Sequence, residues 1–169
     1  PSSTINSPTR PIACRMKGMT TPPTAILFPG QGSQANGMGR RLAEASPDVM
    51  HLWKKAEAAS GLPLRAIYWE SGDENLMAET RSLQPAITVV NLALWFYVCG
   101  RFDPVCAAGH SLGEFSALGA AGVLDVDRLI EIVALRGRLM AEADPDHVGT
   151  MYAVLRLGLD EVEAVAKDV

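Results

Sequence analysis

Residues 105–122 constrain the fold of this chain more than any other stretch. The short apolar run at 105–108 predicts a buried strand, and the composition of 112–118 is typical of a helix. Between them, Gly109-His110-Ser111-Leu112-Gly113 matches the G-x-S-x-G nucleophile elbow, in which a serine lies on a sharp strand-to-helix turn. The order of strand, turn and helix predicts an α/β fold. It also places Ser111 at a helix N-terminus, where free N–H groups and the helix dipole favour negative charge.

Two interpretations of Ser111 are open from this pattern. Ser111-x-x-Glu114 also fits a capping box, in which the serine only caps the helix and the glutamate returns a hydrogen bond. The apolar run before the motif and the Ala/Leu-rich segment after it are the context that a nucleophile elbow requires. The sequence therefore favours a nucleophile over a cap.

A glycine-rich loop follows another apolar run near the start of the chain. Residues 25–28 predict a first buried strand, and Gly30-Gln31-Gly32-Ser33-Gln34-Ala35 after it matches the G-x-G-x-x-G/A dinucleotide fingerprint literally. That fingerprint needs an acidic residue at the end of a second strand, but Asp48 follows Ser46-Pro47, which is typical of a helix start. The alternative is that backbone N–H groups of this loop face Ser111 and help to bind an oxyanion.

Further helices are predicted between the glycine loop and the elbow. Residues 47–60 are predicted to form an amphipathic helix closed by Gly61, in which His51 is a surface or packing residue, and 73–80 a short helix. Gln84-Pro85 is expected to start a long apolar helix that reaches Val98 and is buried on nearly all sides. The buried face of the first helix is predicted to hold Val49, Leu52, Trp53 and Ala56.

An arginine interrupts the apolar stripe of the helix predicted at 126–141. At about 100° per residue, Arg136 falls on the apolar face and Arg138 on the opposite side. A buried guanidinium needs a carboxylate partner. That carboxylate belongs either to the protein, as Glu114 or Glu131, or to a substrate held by the arginine fork. The stripe is predicted to consist of Leu129, Ile132, Val133, Arg136 and Met140.

Three segments at these spacings carry a resemblance to a known family. They are Phe28-Pro29-Gly30-Gln31-Gly32-Ser33-Gln34, Gly109-His110-Ser111-Leu112-Gly113-Glu114 and Leu135-Arg136-Gly137, with Gln84-Pro85-Ala86 as a weaker match. Together they resemble the malonyl-CoA:acyl-carrier-protein transacylases and the acyltransferase domains of polyketide and fatty-acid synthases. The resemblance covers residues from about 24 to 169. It implies an α/β-hydrolase-like core, a parallel sheet flanked by helices, followed by the start of a small, truncated ferredoxin-like α+β subdomain.

The resemblance also assigns roles to individual residues. Ser111 matches the nucleophile, the backbone N–H groups of Gln31 and Leu112 match the oxyanion hole, and Arg136 matches the arginine that holds the malonyl carboxylate. His110 and Gln84 are expected to lie in the substrate site. Related synthase domains that prefer methylmalonyl often have glutamine where this chain has Leu112, so the leucine favours malonyl.

The implied reaction is transfer of a malonyl group from malonyl-CoA to the phosphopantetheine thiol of acyl carrier protein through a seryl ester. This reaction supplies fatty-acid biosynthesis. The alternatives are the acyltransferase of a polyketide synthase and, less favoured, an α/β-hydrolase esterase or a dinucleotide-binding domain. We expect no bound cofactor and no metal, and the Cys positions lack metal-ligand spacing.

The catalytic histidine of the family lies in a segment beyond Val169, so we expect that it is not in this chain. Of the histidines present, only His147 could substitute for it. We therefore expect the chain to be the N-terminal portion of the enzyme, with negligible turnover and poor solubility alone. The predicted organisation is a leader or read-through at 1–20, the core at 21–146 and the incomplete subdomain at 147–169.

Composition excludes several other classes of protein. A net charge of −4 without a basic block argues against a nucleic-acid partner. The longest apolar stretch, 86–100, is interrupted by Thr88 and Asn91, so no membrane span is predicted, and residues 1–18 lack the apolar core of a secretory signal. We expect a cytoplasmic monomer.

Overall fold

In the computed structural model, which describes residues 22–143 and 154–167, two strands pair in parallel. β1 (Pro23–Phe28) lies beside β2 (Asp103–Gly109), and Phe28 pairs with Gly109 at their carboxyl ends. Parallel strands need a crossover, and the helices between β1 and β2 supply it. A parallel sheet with packed helices agrees with the α/β class predicted from the sequence.

Helices make up most of the remaining described structure. They are α1 (Arg40–Ala45), α2 (Pro47–Ser60), α3 (Leu64–Ala66), α4 (Glu74–Ala78), α5 (Thr80–Val98), α6 (Gly113–Ala120), α7 (Val126–Glu142) and α8 (Leu159–Lys167). A π-helical turn, Ile67–Ser71, follows α3, and a 3₁₀ turn, Cys99–Arg101, follows α5.

The boundaries of α2 confirm the prediction from its end residues. The Ser46 side chain accepts a hydrogen bond from the Val49 N–H, Pro47 occupies the first turn, and Gly61 closes the helix with φ 70°. Serine caps, first-turn prolines and left-handed glycines all satisfy helix ends locally, which is why they are legible in sequence. The four residues predicted for its buried face are buried, and His51 is exposed.

The core surrounds α5, which packs against α2, α6 and α7. Contacts between these helices leave the largest side chains of the core fully withdrawn from water. The fully buried large residues are Trp53, Leu64, Tyr68, Leu83, Leu92, Leu112, Leu129 and Ile130. Burial of such side chains, each worth about 1.5–3 kcal/mol, is the main stabilising contribution to the domain.

The predicted start of α5 at Gln84 is wrong, because the helix begins at Thr80 and contains Pro85. Proline normally disrupts a helix interior since it has no N–H to donate. Here Ser82 ties the first turn to preceding elements. The single proton of its hydroxyl is shared between the Leu76 carbonyl at 2.8 Å and the Glu79 carbonyl at 3.0 Å, and the Tyr68 hydroxyl lies 3.4 Å away. Packing therefore overrides the local signal and extends the helix before the proline.

The stretch Thr80–Arg101 is long and apolar enough to cross a membrane by length and composition. In the fold it is a core helix, since 67% of its most apolar window is buried inside the protein. It also carries buried polar side chains that bond to neighbouring elements: Asn91 donates to the Pro29 carbonyl at 3.1 Å and to the Ser116 hydroxyl at 3.0 Å. These contacts fasten the helix to the glycine loop and to α6.

Both strands form where the sequence predicts them, but the prediction that they are buried is wrong. Leu27 is 76% exposed and Val105 is 63% exposed. Within the described residues β1 and β2 pair only with each other, so one edge of each strand and much of the sheet face are uncovered. Phe28, which packs edge-to-face on Trp95 of α5, is the buried end of β1.

The predictions for the C-terminal segment are met only in part. A strand is predicted at 150–157, of which 150–153 lie outside the described residues, and 154–157 are not in a strand. An isolated extended segment has no ladder hydrogen bonds to stabilise it, and Leu155 is 78% exposed. The sequence also predicts a helix over 160–167 that is capped by Asp160. α8 begins at Leu159, so Asp160 lies in its first turn instead. The predicted leader and His147 lie outside the described residues.

Candidate active site

The turn between β2 and α6 holds Ser111 in a left-handed conformation. Its φ is 50°, which is uncommon for a residue with a side chain. The His110 N–H donates to the Phe28 carbonyl at 3.1 Å, and the Gly113 N–H donates to the His110 carbonyl at 2.9 Å. These bonds fix a strained turn that projects an exposed serine from the carboxyl end of the sheet.

The glycines around Ser111 are required by close backbone contacts. A Cβ on Gly109 would overlap the backbone of Gly113 and Glu114, and a Cβ on Gly113 would overlap the Phe28 carbonyl. A Cβ on Gly30, in the first glycine loop, would overlap the His110 carbonyl. The backbones of the first loop and the elbow therefore pack directly against each other. An oxyanion site formed by N–H groups of both segments requires this contact.

The capping-box interpretation of Ser111 is not supported by the geometry. The Glu114 N–H donates at 3.1 Å to the backbone carbonyl of Ser111, not to its hydroxyl. Within the described residues, no side chain caps α6. The Ser111 hydroxyl instead faces Arg136, whose Nη2 lies 3.5 Å from Oγ. At that distance the hydrogen bond is weak, so it leaves the Ser111 hydroxyl available for a stronger contact with a bound molecule.

Arg136 reaches Ser111 from the edge of α7, not from the middle of a buried stripe. The buried residues of α7 are Leu129, Ile130, Val133, Ala134 and Gly137. The predicted stripe is wrong at Ile132 and Met140, which are 40% and 42% exposed. Gly137 lets α7 approach α5 closely, because a Cβ at this position would lie 2.9 Å from the Thr80 carbonyl oxygen. Arg138 faces solvent, as predicted.

The guanidinium of Arg136 is half-buried and is held by neutral groups. Nη1 donates to Gln84 Oε1 at 2.7 Å, and Cζ lies 5.6 Å from the centre of the Phe115 ring. Over residues 22–143 and 154–167, Arg136 forms no salt bridge. The internal partner considered in the sequence, Glu131, is engaged by Arg128 at 3.0 Å and lies 3.7 Å from Lys55. Glu114, the other candidate, likewise makes no ion pair in the described part of the chain.

Gln84 is buried, at 1% exposure, directly behind the arginine. Its Oε1 accepts from Arg136, and its Nε2 lies 3.1 Å from the sulfur of Met140. Both ends of the amide are thus engaged by α7, which fixes the orientation of the oxygen. A side chain held in this way positions the guanidinium and leaves its charge unneutralised.

The amides predicted for an oxyanion hole lie on two adjoining turns. In the described part of the chain, neither the Gln31 N–H nor the Leu112 N–H donates to a protein acceptor. The loop that carries Gln31 is fixed by the Ser33 hydroxyl, which donates to the Gly30 carbonyl at 2.7 Å, and by Asn91. In the sequence, Asn91 is recognised only as a polar interruption of an apolar run. Its polarity within a core helix was the available signal for an anchoring role.

The dinucleotide interpretation of the same loop fails on its geometry. A Rossmann fingerprint places its glycines at the start of a helix, but α1 begins only at Arg40, after further turns. No strand follows β1 before α2 in the described residues. His110 is exposed and lies beside Gly30. A cavity of about 650 Å³ lies away from Ser111 and Arg136 and is lined by residues that include Glu57, Arg65 and Trp69. No group of three or more metal-ligating side chains that could hold a metal ion occurs in the described ranges.

This chain is similar to known proteins over most of its length. The acyl transferase domain family matches residues 26–168. A malonyl CoA-acyl carrier protein transacylase of Haemophilus influenzae is 42% identical over 139 residues, which are 80% of this chain and 44% of that protein. The crystal structure of malonyl-CoA:acyl carrier protein transacylase from Xanthomonas oryzae pv. oryzae superposes with a TM-score of 0.73 at 38% identity, covering 85% of this chain and 46% of that one.

A second solved structure adds a carrier protein to the comparison. It is a malonyl-transacylase in complex with its type II polyketide acyl carrier protein, with a TM-score of 0.73 and 39% identity over 86% of this chain and 47% of that one. The chain therefore spans about half the length of the relatives that it matches.

Proposed function

The chain belongs to the acyl transferase domain family, and we propose that it supplies the nucleophile and the carboxylate clamp of a malonyl-CoA:acyl carrier protein transacylase. In this proposal the substrates are malonyl-CoA and the phosphopantetheine thiol of acyl carrier protein, and the product supplies fatty-acid synthesis in the cytoplasm. No resident cofactor is needed for the chemistry, since the malonyl group is an activated thioester in malonyl-CoA and is a thioester again on the carrier protein.

One observation carries the proposal: a half-buried guanidinium with no carboxylate partner among the described residues lies 3.5 Å from an exposed, strained serine hydroxyl. A guanidinium has five N–H donors. Gln84 and Ser111 each engage one, which leaves donors for an incoming carboxylate in bidentate geometry. An esterase or a dinucleotide-binding domain has no use for such a cation at this position.

The proposed reaction proceeds through two acyl transfers at Ser111. Oγ attacks the thioester carbonyl of malonyl-CoA and loses its proton, and the oxyanion of the tetrahedral intermediate is stabilised by the Gln31 and Leu112 amides. The carbon–sulfur bond then breaks, and coenzyme A leaves as its thiol. The carrier-protein thiol attacks the seryl ester in the second half, and Ser111 regains its proton.

Arg136 provides selection in this scheme. It binds the free carboxylate of the malonyl group in both half-reactions and so holds the ester carbonyl at a fixed distance from the amides. An acetyl group lacks the carboxylate and gains nothing from the arginine. The family resemblance assigns the general base to a histidine in a segment beyond the one that this chain matches.

The decisive experiment traps the acyl-enzyme of the complete gene product. Incubation with malonyl-CoA, followed by acid quench and peptide mass spectrometry, is expected to find malonate esterified to Ser111, and Ser111→Ala to remove it. Malonylation that persists in Ser111→Ala would overturn the nucleophile assignment.

A matched pair of substitutions on α7 tests the clamp. Arg136→Ala is expected to lower kcat/KM for malonyl-CoA by about 10- to 150-fold, since a charge-assisted hydrogen bond contributes about 1.5–3 kcal/mol. Acetyl transfer should change little. Arg138→Ala is the control, because Arg138 lies on the same helix with a side chain that is 61% exposed. Equal losses for malonyl and acetyl in Arg136→Ala would mean that Arg136 is structural.

A carrier of polyketide synthesis is a second candidate acceptor. The similar transacylase solved with its type II polyketide carrier protein favours this possibility. Comparing the second half-reaction with a fatty-acid carrier and a polyketide carrier, at equal concentration, distinguishes the two. A preference of tenfold or more for one carrier would assign the pathway class.

A further inference from the structure

We propose that Phe115 is a positioning residue that makes the clamp selective for a carboxylated acyl group through a cation–π contact with the guanidinium of Arg136. The inference rests on the function proposed above and concerns the same site. It starts from the contact between Cζ of Arg136 and the face of the Phe115 ring, whose centre lies 5.6 Å away.

Phe115 is placed for this role by the elbow itself. It lies in the first turn of α6, so it is fixed relative to Ser111 by the same short segment of backbone. Its half-buried ring packs against the cluster of Leu83, Leu112 and Val133 beneath the site. The ring is thus held between the core and the cation, with Cζ of Arg136 over the ring at 5.6 Å from its centre.

An aromatic ring holds a cation in a way that suits substrate binding. The ring quadrupole attracts a guanidinium within about 6 Å of its centre without neutralising the charge or occupying an N–H group. Gln84 supplies the remaining support through a neutral amide oxygen at 2.7 Å. Two neutral contacts therefore orient Arg136 and leave its charge and its outward N–H edge for the malonyl carboxylate. A carboxylate in either place would orient the arginine equally well but would compete with the substrate.

The test compares Phe115→Leu with Phe115→Tyr in the complete gene product. Leucine keeps apolar volume and removes the ring face, whereas tyrosine keeps the face. Phe115→Leu is expected to lower the ratio of malonyl to acetyl kcat/KM by roughly 2- to 30-fold, mainly through a higher KM for malonyl-CoA, because a cation–π contact of this kind has that strength. Phe115→Tyr is expected to retain the wild-type ratio.

Phe96→Leu is the matched control. Phe96 is also half-buried and packs against the same cluster, but among the described residues it makes no cation–π contact with Arg136. Thermal denaturation measured on each variant separates a loss of stability from a loss of selectivity. Phe96→Leu should lose stability comparably and keep the malonyl to acetyl ratio.

The outcomes separate this inference from the function on which it rests. If wild-type protein forms the malonyl ester at Ser111 and Phe115→Leu keeps the ratio of Phe96→Leu, the role of Phe115 is refuted and the transacylase function stands. If wild-type protein forms no ester at Ser111, the function is refuted and the inference with it. A lower ratio in Phe115→Leu that Phe115→Tyr restores supports both.

Discussion

Replacing Gln84 with glutamate tests most directly whether the charge of Arg136 is reserved for substrate. The substitution keeps the size of the side chain and places a carboxylate where Nη1 of Arg136 now meets an amide oxygen at 2.7 Å. At 1% exposure the new carboxylate would have little water, so the arginine would be its main partner. The guanidinium would then be neutralised before any malonyl group arrives.

The expected size of the effect follows from the contact that is lost. A hydrogen bond between charged groups contributes about 1.5–3 kcal/mol, and about 1.4 kcal/mol is a factor of ten in rate. We therefore expect Gln84→Glu to lower kcat/KM for malonyl-CoA by about 10- to 150-fold. Acetyl-CoA, which carries no free carboxylate, should be used with an efficiency within about threefold of wild type.

The assay measures initial rates of acyl transfer from both thioesters to a carrier protein, with Gln84→Met as the control. Methionine has a similar volume and no charge, so it removes one anchor of Arg136 and leaves the cation available. A loss of only about 2- to 10-fold is expected for malonyl-CoA, because the substrate carboxylate still meets a charged guanidinium and only the positioning by Gln84 is lost. The reasoning is refuted if Gln84→Glu keeps its preference for malonyl, or if Gln84→Met loses as much as Gln84→Glu.

Three further predictions concern stability and are checked by denaturation. Gly113→Ala should lower the free energy of unfolding by about 3 kcal/mol or more, because the new Cβ would overlap the Phe28 carbonyl. Gly122→Ala is the control: Gly122 has a φ of 69° and open space around it, so the loss should be about 1 kcal/mol. Similar losses in the two variants would contradict the packing argument. Ser46→Ala should cost about 0.5–1 kcal/mol of unfolding free energy, since the cap bond to α2 is long at 3.5 Å, and an unchanged midpoint would rule the cap out as a contributor. Burial raises the pKa of the Tyr68 hydroxyl to about 12, above its value of about 10 in the unfolded chain. The protonated hydroxyl therefore stabilises the fold fully below about pH 10, and this stabilisation is lost as the pH rises towards 12. Denaturation of Tyr68→Phe over the same pH range should lack this loss.

The parts of the fold that the sequence predicts correctly are those decided by neighbouring residues. The ends of α2 follow from Ser46, Pro47 and Gly61, whose side chains or dihedral angles act within one turn. The start of α5 does not, because Ser82 is tied to residues of preceding elements and the helix forms ahead of Pro85. Burial of the strands is equally non-local. An apolar run predicts that a strand forms, but its exposure depends on whether other elements cover it.

The same distinction between local and distant interactions decides which features of the candidate site the sequence predicts. The elbow is legible because Gly109 and Gly113 must lack side chains wherever a strand turns this sharply into a helix. The apolar stripe of α7 is predicted only in part. Helical periodicity identifies Leu129 and Val133 as buried, but not the exposure of Ile132 and Met140, which depends on which elements cover the helix. The contact of Phe115 with the guanidinium gave no signal in the sequence, because an apolar residue after the elbow fits core packing equally well.

Arg136 differs from two other partly buried cations in having no carboxylate partner among the described residues. Lys55 and Arg65, which are also partly withdrawn from water, each meet a carboxylate oxygen at 2.8 Å. Arg136 meets an amide, a ring and a hydroxyl, although a glutamate at position 84 would neutralise it with the same geometry. A half-buried cation without its counter-charge is less stable than a paired one. We propose that this cost is retained because Arg136 binds an anion that arrives from outside, and that this anion is part of the group transferred to the adjoining Ser111 hydroxyl.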